Sequence, residues 1–321
     1  MQELKAGFVY TAESGLLTSM DYSESNDLFV FTNSDGILKL YDLNSVEEKK
    51  ELHCKLYGCH IARFTRSNDA VISSSFPRGH DHAIRLHCLH NNAYLRFFKG
   101  HTDTVLSLDM CKTGDEFLSS SKDGTVRLWD LRTERGLGCL RSQTGQSVPF
   151  AAFDPTGLVF SAVTDDGQIT TYDLRKLAPF SVNKLRPDPA HIRNFSFSPD
   201  GKYLAVLLTD GRVVILDSIQ FIPISTICGD DTPYKQIASI SFSVDSMSIL
   251  CLTHLLEKEC NGAGATCYVF SVKTGKHEQT LVIPAQHISS VSTLPSVAFH
   301  PHRFLASFLV ESTLSFFIPF H

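Results

Sequence analysis

Apolar and polar residues alternate along most of the chain in runs of four to six, and short polar breaks separate the runs. Residues 105–110 alternate, Cys111-Lys112-Thr113-Gly114 breaks the pattern, and residues 116–121 resume it. Lys122-Asp123-Gly124 breaks it again, residues 125–129 alternate once more, and residues 138–141 form a short fourth run. A period of two belongs to a strand with one buried face. Asp-Gly between two such runs favours a tight hairpin, because both residues tolerate positive φ. No segment carries a helical period, so the pattern predicts an all-β chain.

The pattern also repeats. Asp-Gly stands at Asp35, Asp123, Asp166 and Asp210, spaced 88, 43 and 44, so one member near Asp81-His82 is missing. A second series, Gly114, Gly157 and Gly201, holds the same period. Each unit ends a strand on a bulky residue: Tyr41, His87, Trp129, Tyr172, Leu216, Phe270 and Phe317. Seven units of about 46 residues with four short strands each are the signature of a β-propeller. The expected architecture is a single domain over 1–321, with blades near 11–52, 57–98, 101–142, 147–185, 191–228, 235–282 and 288–319. The last unit stops after its third strand at Phe317-Ile318-Pro319, so the strand at 4–10 is expected to close that blade and cover its edge.

Gly100-His101 opens the third unit and Trp129-Asp130 closes its third strand; with these residues the unit resembles a WD repeat. The resemblance implies a relay in which His101, Asp123 and a serine of the second strand, Ser119 or Ser121, link to the Trp129 indole N–H and satisfy buried polar groups. The second unit keeps His60 and Asp81 but places His87 in the tryptophan slot. The fifth keeps His191 and Asp210 but has Leu216 there.

Charge changes the picture only slightly. With 29 Lys+Arg and 34 Asp+Glu the net charge is −5, which argues against a protein that coats nucleic acid. Nine cysteines, none in Cys-x-x-Cys, read as buried free thiols of a reducing compartment. Neither a signal peptide nor an eighteen-residue apolar run is found. No nucleotide-binding loop, nucleophile elbow or zincin motif occurs, so no catalytic residue, metal or cofactor is expected. The cluster Arg78-Gly79-His80-Asp81-His82, with His87, Cys88 and His90, has metal-ligand residue types, but it reads as a hairpin turn and a tryptophan slot. Arg63, Arg78, Lys122, Arg193 and Lys235 are expected near the tight turns, where a rigid cationic surface suits an acidic or phosphorylated peptide.

A narrower resemblance rests on Asp81-His82-Ala83-Ile84-Arg85, residues 89–101, Gly145-Gln146-Ser147-Val148, residues 153–160, Tyr172-Asp173-Leu174-Arg175 and Phe316-Phe317-Ile318-Pro319. These resemble the WD-repeat subunits shared by a COMPASS-type histone methyltransferase complex and a nuclear phosphatase complex of transcription termination. The likeness departs around residues 257–265. It implies a nuclear, non-enzymatic adaptor whose partners are subunits of those complexes and the phosphorylated tail of RNA polymerase II, with neither membrane association nor sequence-specific nucleic-acid binding. The alternative is a scaffold in another pathway, such as a cullin ubiquitin-ligase substrate receptor docking through Asp130-Leu131-Arg132 and Asp173-Leu174-Arg175.

Overall fold

A computed structural model describes residues 4–12, 14–24, 27–76, 81–141, 150–163, 167–184, 192–227, 237–253, 264–284 and 295–319. Among these residues every regular element is a β-strand. The chain opens with β1 (Leu4–Thr11). Four sheets follow, all antiparallel and consecutive: β2 (Leu17–Tyr22), β3 (Leu28–Asn33), β4 (Ile37–Asp42) and β5 (Glu47–His53); β6 (Ala62–Phe64), β7 (Ala70–Ser74), β8 (Ile84–Cys88) and β9 (Tyr94–Phe98); β10 (Val105–Met110), β11 (Glu116–Ser121), β12 (Thr125–Asp130) and β13 (Gly138–Arg141); β14 (Phe150–Phe153), β15 (Val159–Val163), β16 (Gln168–Asp173) and β17 (Ala178–Lys184). They fill one compact unit, Thr18–Pro187.

The second unit joins Met1–Leu17 to Asp188–His321. It holds β18 (Ile192–Phe197), β19 (Tyr203–Leu208), β20 (Val213–Asp217) and β21 (Pro223–Ile227), then β22 (Ile237–Phe242), β23 (Ser248–Thr253), β24 (Gly264–Ser271) and β25 (His277–Pro284). Its last sheet combines β26 (Ser296–Phe299), β27 (Ala306–Val310) and β28 (Thr313–Pro319) with β1 on the edge. The N-terminal strand thus supplies the missing fourth strand, paired from Leu4↔Pro319 to Thr11↔Thr313 with a bulge between Ala6 and Phe8.

Turn chemistry explains the spacing. In the second hairpin of the third sheet Gly124 holds φ +76° and its N–H donates to Ser121 O at 3.1 Å. The first hairpins need positive φ too. Gly157 and Gly201 supply it in two sheets, while Asn68 and Ser246 supply it at the matching position of two others, each closing a 2.9–3.0 Å bond to the carbonyl three residues back. The core lies between neighbouring sheets: Ile72, Ile84, Phe98, Leu108, Phe117 and Trp129 form one buried cluster.

Candidate functional site

The third sheet carries the most developed polar network. Trp129 Nε1 donates to Ser119 Oγ at 2.8 Å, Ser119 Oγ meets His101 Nε2 at 2.7 Å, and His101 Nδ1 lies 2.9 Å from Asp123 Oδ2. One tautomer satisfies all three contacts: His101 protonated on Nδ1 donates to the carboxylate, and the serine hydroxyl donates to Nε2. The serine is Ser119 rather than Ser121, whose hydroxyl donates to Asp103 O at 2.9 Å. Asp123 also accepts from the Thr102 N–H (3.0 Å), the Thr125 N–H (2.9 Å) and the Thr125 hydroxyl (2.6 Å). Burial pushes its carboxyl up, but the bonds from Thr125, Thr102 and His101 outweigh that and hold it at about 2. Burial lowers His101 below the usual histidine range, against the pull of Asp123. The indole stacks on Phe117 (6.1 Å, 15°) and meets Phe98 edge-on (5.8 Å). Strand pairing sets Phe117 opposite Trp129, so the network and the apolar core fix each other.

The second sheet departs from the expected relay. Asp81 pairs with Arg85 and caps the Ala83 N–H at 2.9 Å, and it does not bond His60. His60 Nδ1 is buried without a hydrogen-bond partner, its ring edge-on to Phe76 at 5.4 Å. The reason is Arg85, buried at 1% exposure and laid over the Tyr57 ring at 3.8 Å; its guanidinium needs the carboxylate more than a neutral imidazole does. His87, in the tryptophan slot, bonds Asn92 Oδ1 through Nε2 at 2.7 Å. In the fifth sheet Asp210 serves its own turn, accepting from Arg212 N (2.9 Å) and Nε (2.6 Å), and Leu216 ends no relay. His191 lies outside the described residues.

Of the three described cations of the expected surface only Lys122 is exposed. Arg63 turns inward, its Nη1 donating to Ala62 O (2.8 Å), Ser19 Oγ (3.0 Å) and Met20 O (3.2 Å). Arg193 is partly buried with Nη1 3.4 Å from Ile237 O, and burial lowers its pKa. Lys122 is exposed in its turn. Arg78 and Lys235 lie outside the described residues, as does most of 257–265. Arg63 is held by these bonds to Ala62, Ser19 and Met20, and its charge lowers the carboxyls of Asp21 and Asp109.

Those two carboxylates escaped the reading of the sequence. Asp21 Oδ2 accepts the Phe64 N–H of the next inner strand at 2.8 Å, and Asp109 Oδ2 accepts the Phe153 N–H at 2.7 Å. Each clamps one sheet to the next. Burial raises Asp21 to about 6 against the pull of Arg63, and burial raises Asp109 as well. Their spacing, 109 − 21 = 88, is two periods and was the available signal.

Above the relay a polar cleft of about 520 Å³ opens between the second and third sheets, lined by Asp81, His82, Ala83, Lys99, Gly100, His101 and Thr102. Among the described residues no group of three or more His, Cys, Asp or Glu is placed to hold a metal. The cleft offers Lys99, two histidines (His82 and His101), the Asp81 carboxylate and the Thr102 hydroxyl beside its backbone polar groups.

Comparison with known proteins matches residues 92–130 to the WD domain, G-beta repeat family. Set1 complex component swd2 of Schizosaccharomyces pombe is 39% identical over 203 residues, 62% of this chain and 55% of that protein. WD repeat-containing protein 82 of Drosophila melanogaster is 32% identical over 253 residues, 78% of each. COMPASS component SWD2 of Saccharomyces cerevisiae is 32% identical over 64% of this chain and 62% of its own length. The match to the two yeast proteins thus spans less than two thirds of their lengths. The Cps50 (Swd1) β-propeller domain of Myceliophteria thermophila superposes with TM-score 0.78 over 98% of this chain and 99% of that one, at 16% identity. The fold is that of a seven-bladed β-propeller.

Proposed function

The chain belongs to the WD-repeat family, and from that membership we propose that it is a non-catalytic scaffold subunit of a Set1/COMPASS-type histone methyltransferase complex in the nucleus. The observation that carries this reading is the pair of yeast relatives named as components of that complex, at 39% and 32% identity. The chemistry agrees with it. The strongest polar network is structural, each of its members satisfying another, and the cleft beside it has the donors of a docking site.

The same reading extends to a nuclear phosphatase complex and to the phosphorylated tail of RNA polymerase II, on the resemblance of residues 145–160 and 172–175 to such shared subunits. The ubiquitin-ligase alternative depends on Arg132 and Arg175 being available. Arg132 closes on Asp130 with Nε–Oδ1 2.9 Å and Nη2–Oδ2 2.7 Å and Arg175 binds Asp173 in the same way, while both side chains stay exposed at 67% and 75%.

The test is affinity purification of the tagged chain from nuclear extract, followed by mass spectrometry. Methyltransferase subunits in the eluate support the scaffold reading, and phosphatase subunits support the extension. Cullin-ligase components without either set overturn it.

A further inference from the structure

The tryptophan slot of the second sheet holds chemistry that the scaffold reading does not use. His87 fills it and is fully buried. Its Nε2 meets Asn92 Oδ1 at 2.7 Å, an oxygen that can only accept, so Nε2 carries the proton and Nδ1 is an acceptor. Cys54 Sγ lies 3.7 Å from that Nδ1. Cys54 shares one buried cluster with Cys59, and its thiol interacts electrostatically with that of Cys59 and with the Tyr94 hydroxyl. One sulfur thus faces a second sulfur, an imidazole base and a phenol, with an amide holding the base in its tautomer.

The backbone between the two cysteines is a closed turn. Gly58 N–H donates to Cys54 O at 2.8 Å, and Gly58 sits at φ +71° with room for no side chain, since a Cβ there would come within 2.8 Å of Phe76 Cβ. Cys54 and Cys59 are 1% and 0% exposed, but the turn between them carries Lys55 and Leu56 into solvent, Leu56 at 76% exposure. The pair lies directly beneath a surface loop. The third sheet has Trp129 in the same slot and has no thiol in its relay.

We propose that Cys54 and Cys59 are a peroxide-oxidisable dithiol site, in which Cys54 attacks first and Cys59 resolves the product into a disulfide. The site takes a small hydroperoxide as its substrate. Cys54 passes its proton to His87 Nδ1 and its sulfur attacks one peroxide oxygen. The O–O bond breaks, a sulfenic acid forms on Cys54, and the departing hydroxide recovers the proton as water. Cys59 sulfur then attacks the sulfenic sulfur; the S–S bond forms, the S–O bond breaks, and hydroxide leaves with the Cys59 proton as a second water. Two thiols lose two electrons and one peroxide gains them.

The division of labour follows from the surroundings. The interaction with Cys59, then the contact with the His87 base, hold the Cys54 thiol below the ordinary range despite its burial, while that same Cys59–Cys54 interaction and burial push Cys59 up. The thiol that ionises attacks, and the one that stays protonated waits. In a reducing compartment the disulfide is reset by exchange with small thiols. The disulfide would reshape the loop that carries exposed Leu56 and the Tyr57 ring beneath Arg85, which makes the site a means of altering that surface.

The experiment uses the full reduced chain treated with hydrogen peroxide, alkylated and digested with trypsin. Cleavage after Lys55 leaves Cys54 in residues 51–55 and Cys59 in residues 56–63, so a bridge appears as a linked pair of peptides that dithiothreitol separates. The expected result is that pair, formed at least about tenfold faster than oxidation of exposed Cys139. Cys59→Ser should trap a dimedone-reactive sulfenic acid on Cys54, and Cys54→Ser should leave Cys59 unoxidised. The proposal is overturned if the wild-type chain oxidises Cys139 first while residues 54 and 59 remain alkylatable after denaturation. That readout does not depend on the variants folding. Dimedone labelling of Cys59 in place of Cys54 overturns the assigned order.

Discussion

At the scale of single residues the relay of the third sheet makes the sharpest claim. Asp123 is 7% exposed and its carboxyl is held at about 2 instead of the ordinary 3.8. That difference corresponds to about 2 kcal/mol of stability, so Asp123→Ala should unfold in urea about 2 kcal/mol more easily. Trp129 is the single tryptophan and is 1% exposed, so its fluorescence reports this sheet directly. The pH dependence has a definite sign. A carboxyl lowered on folding stabilises above 3.8, and that contribution is lost as pH falls toward 2. A histidine lowered by burial, as His101 is, stabilises fully above 6.5 and less as pH falls below it. The urea midpoint followed at Trp129 should therefore decline below about pH 6.5 and again below about pH 4. Asp123→Asn should shrink the lower step and leave the upper one; a lower step of wild-type size in the variant would sink this account. The relay was legible because Gly100-His101, Asp123 and Trp129 keep their period. The second sheet was not, because the pattern of His60 and Asp81 says nothing about Arg85, which is two positions from the tryptophan slot and takes the carboxylate for itself.

At the scale of elements the joints between sheets matter more than the sheets. Asp21 and Asp109 reach from one inner strand to the backbone N–H of the next, and the Arg63 charge acts on both. Asp21 is raised to about 6, so ionising it costs stability, and that cost shrinks as pH falls from about 6 toward 3.8. Asp21→Asn keeps an acceptor for the Phe64 N–H and removes the charge. At pH 7.5 the variant should be at least as stable as the wild type, with the advantage reduced at pH 5. Asp21→Ala leaves a buried N–H without a partner and should lose about 1–2 kcal/mol at either pH. Chemical denaturation at the two pH values decides it, and Asp21→Asn proving weaker at pH 7.5 would mean the charge is needed for Arg63. Strand positions and turn spacing were readable in advance from alternation and Asp-Gly. The turns built on Asn68 and Ser246 were not, since those residues reach positive φ without glycine. Arg63 and Arg193 depart from the expected cationic surface for a related reason: a period gives a residue's place on its strand, but not which carbonyls its head group will bond.

At the scale of the whole chain, the unit that contains the C-terminus cannot be completed without the N-terminus. Strand β1 pairs with β28 over seven residue pairs, Phe8 sits 6.2 Å from Phe316, and the joint continues through Ala12 N–H to Ser312 O and Leu17 N–H to Glu311 O, both 2.8 Å. Removing residues 1–16 takes away this ladder and exposes β28 as an edge. A ladder of this length contributes several kcal/mol at roughly 1 kcal/mol per hydrogen bond, so the truncated chain should melt about 10 °C lower and aggregate more readily through the open edge. The joint is also separable, because its two strands come from opposite ends of the sequence. A synthetic peptide of residues 1–16 should therefore rebind the truncated chain and restore its melting temperature in proportion to the logarithm of peptide concentration once bound in excess, as mass action requires. A peptide of the same composition in scrambled order should not, since the alternation that sets the register would be lost. If the truncated chain melts at the wild-type temperature, β1 is a passive strap; if it melts lower and the peptide restores it, the last sheet is held closed by the first strand.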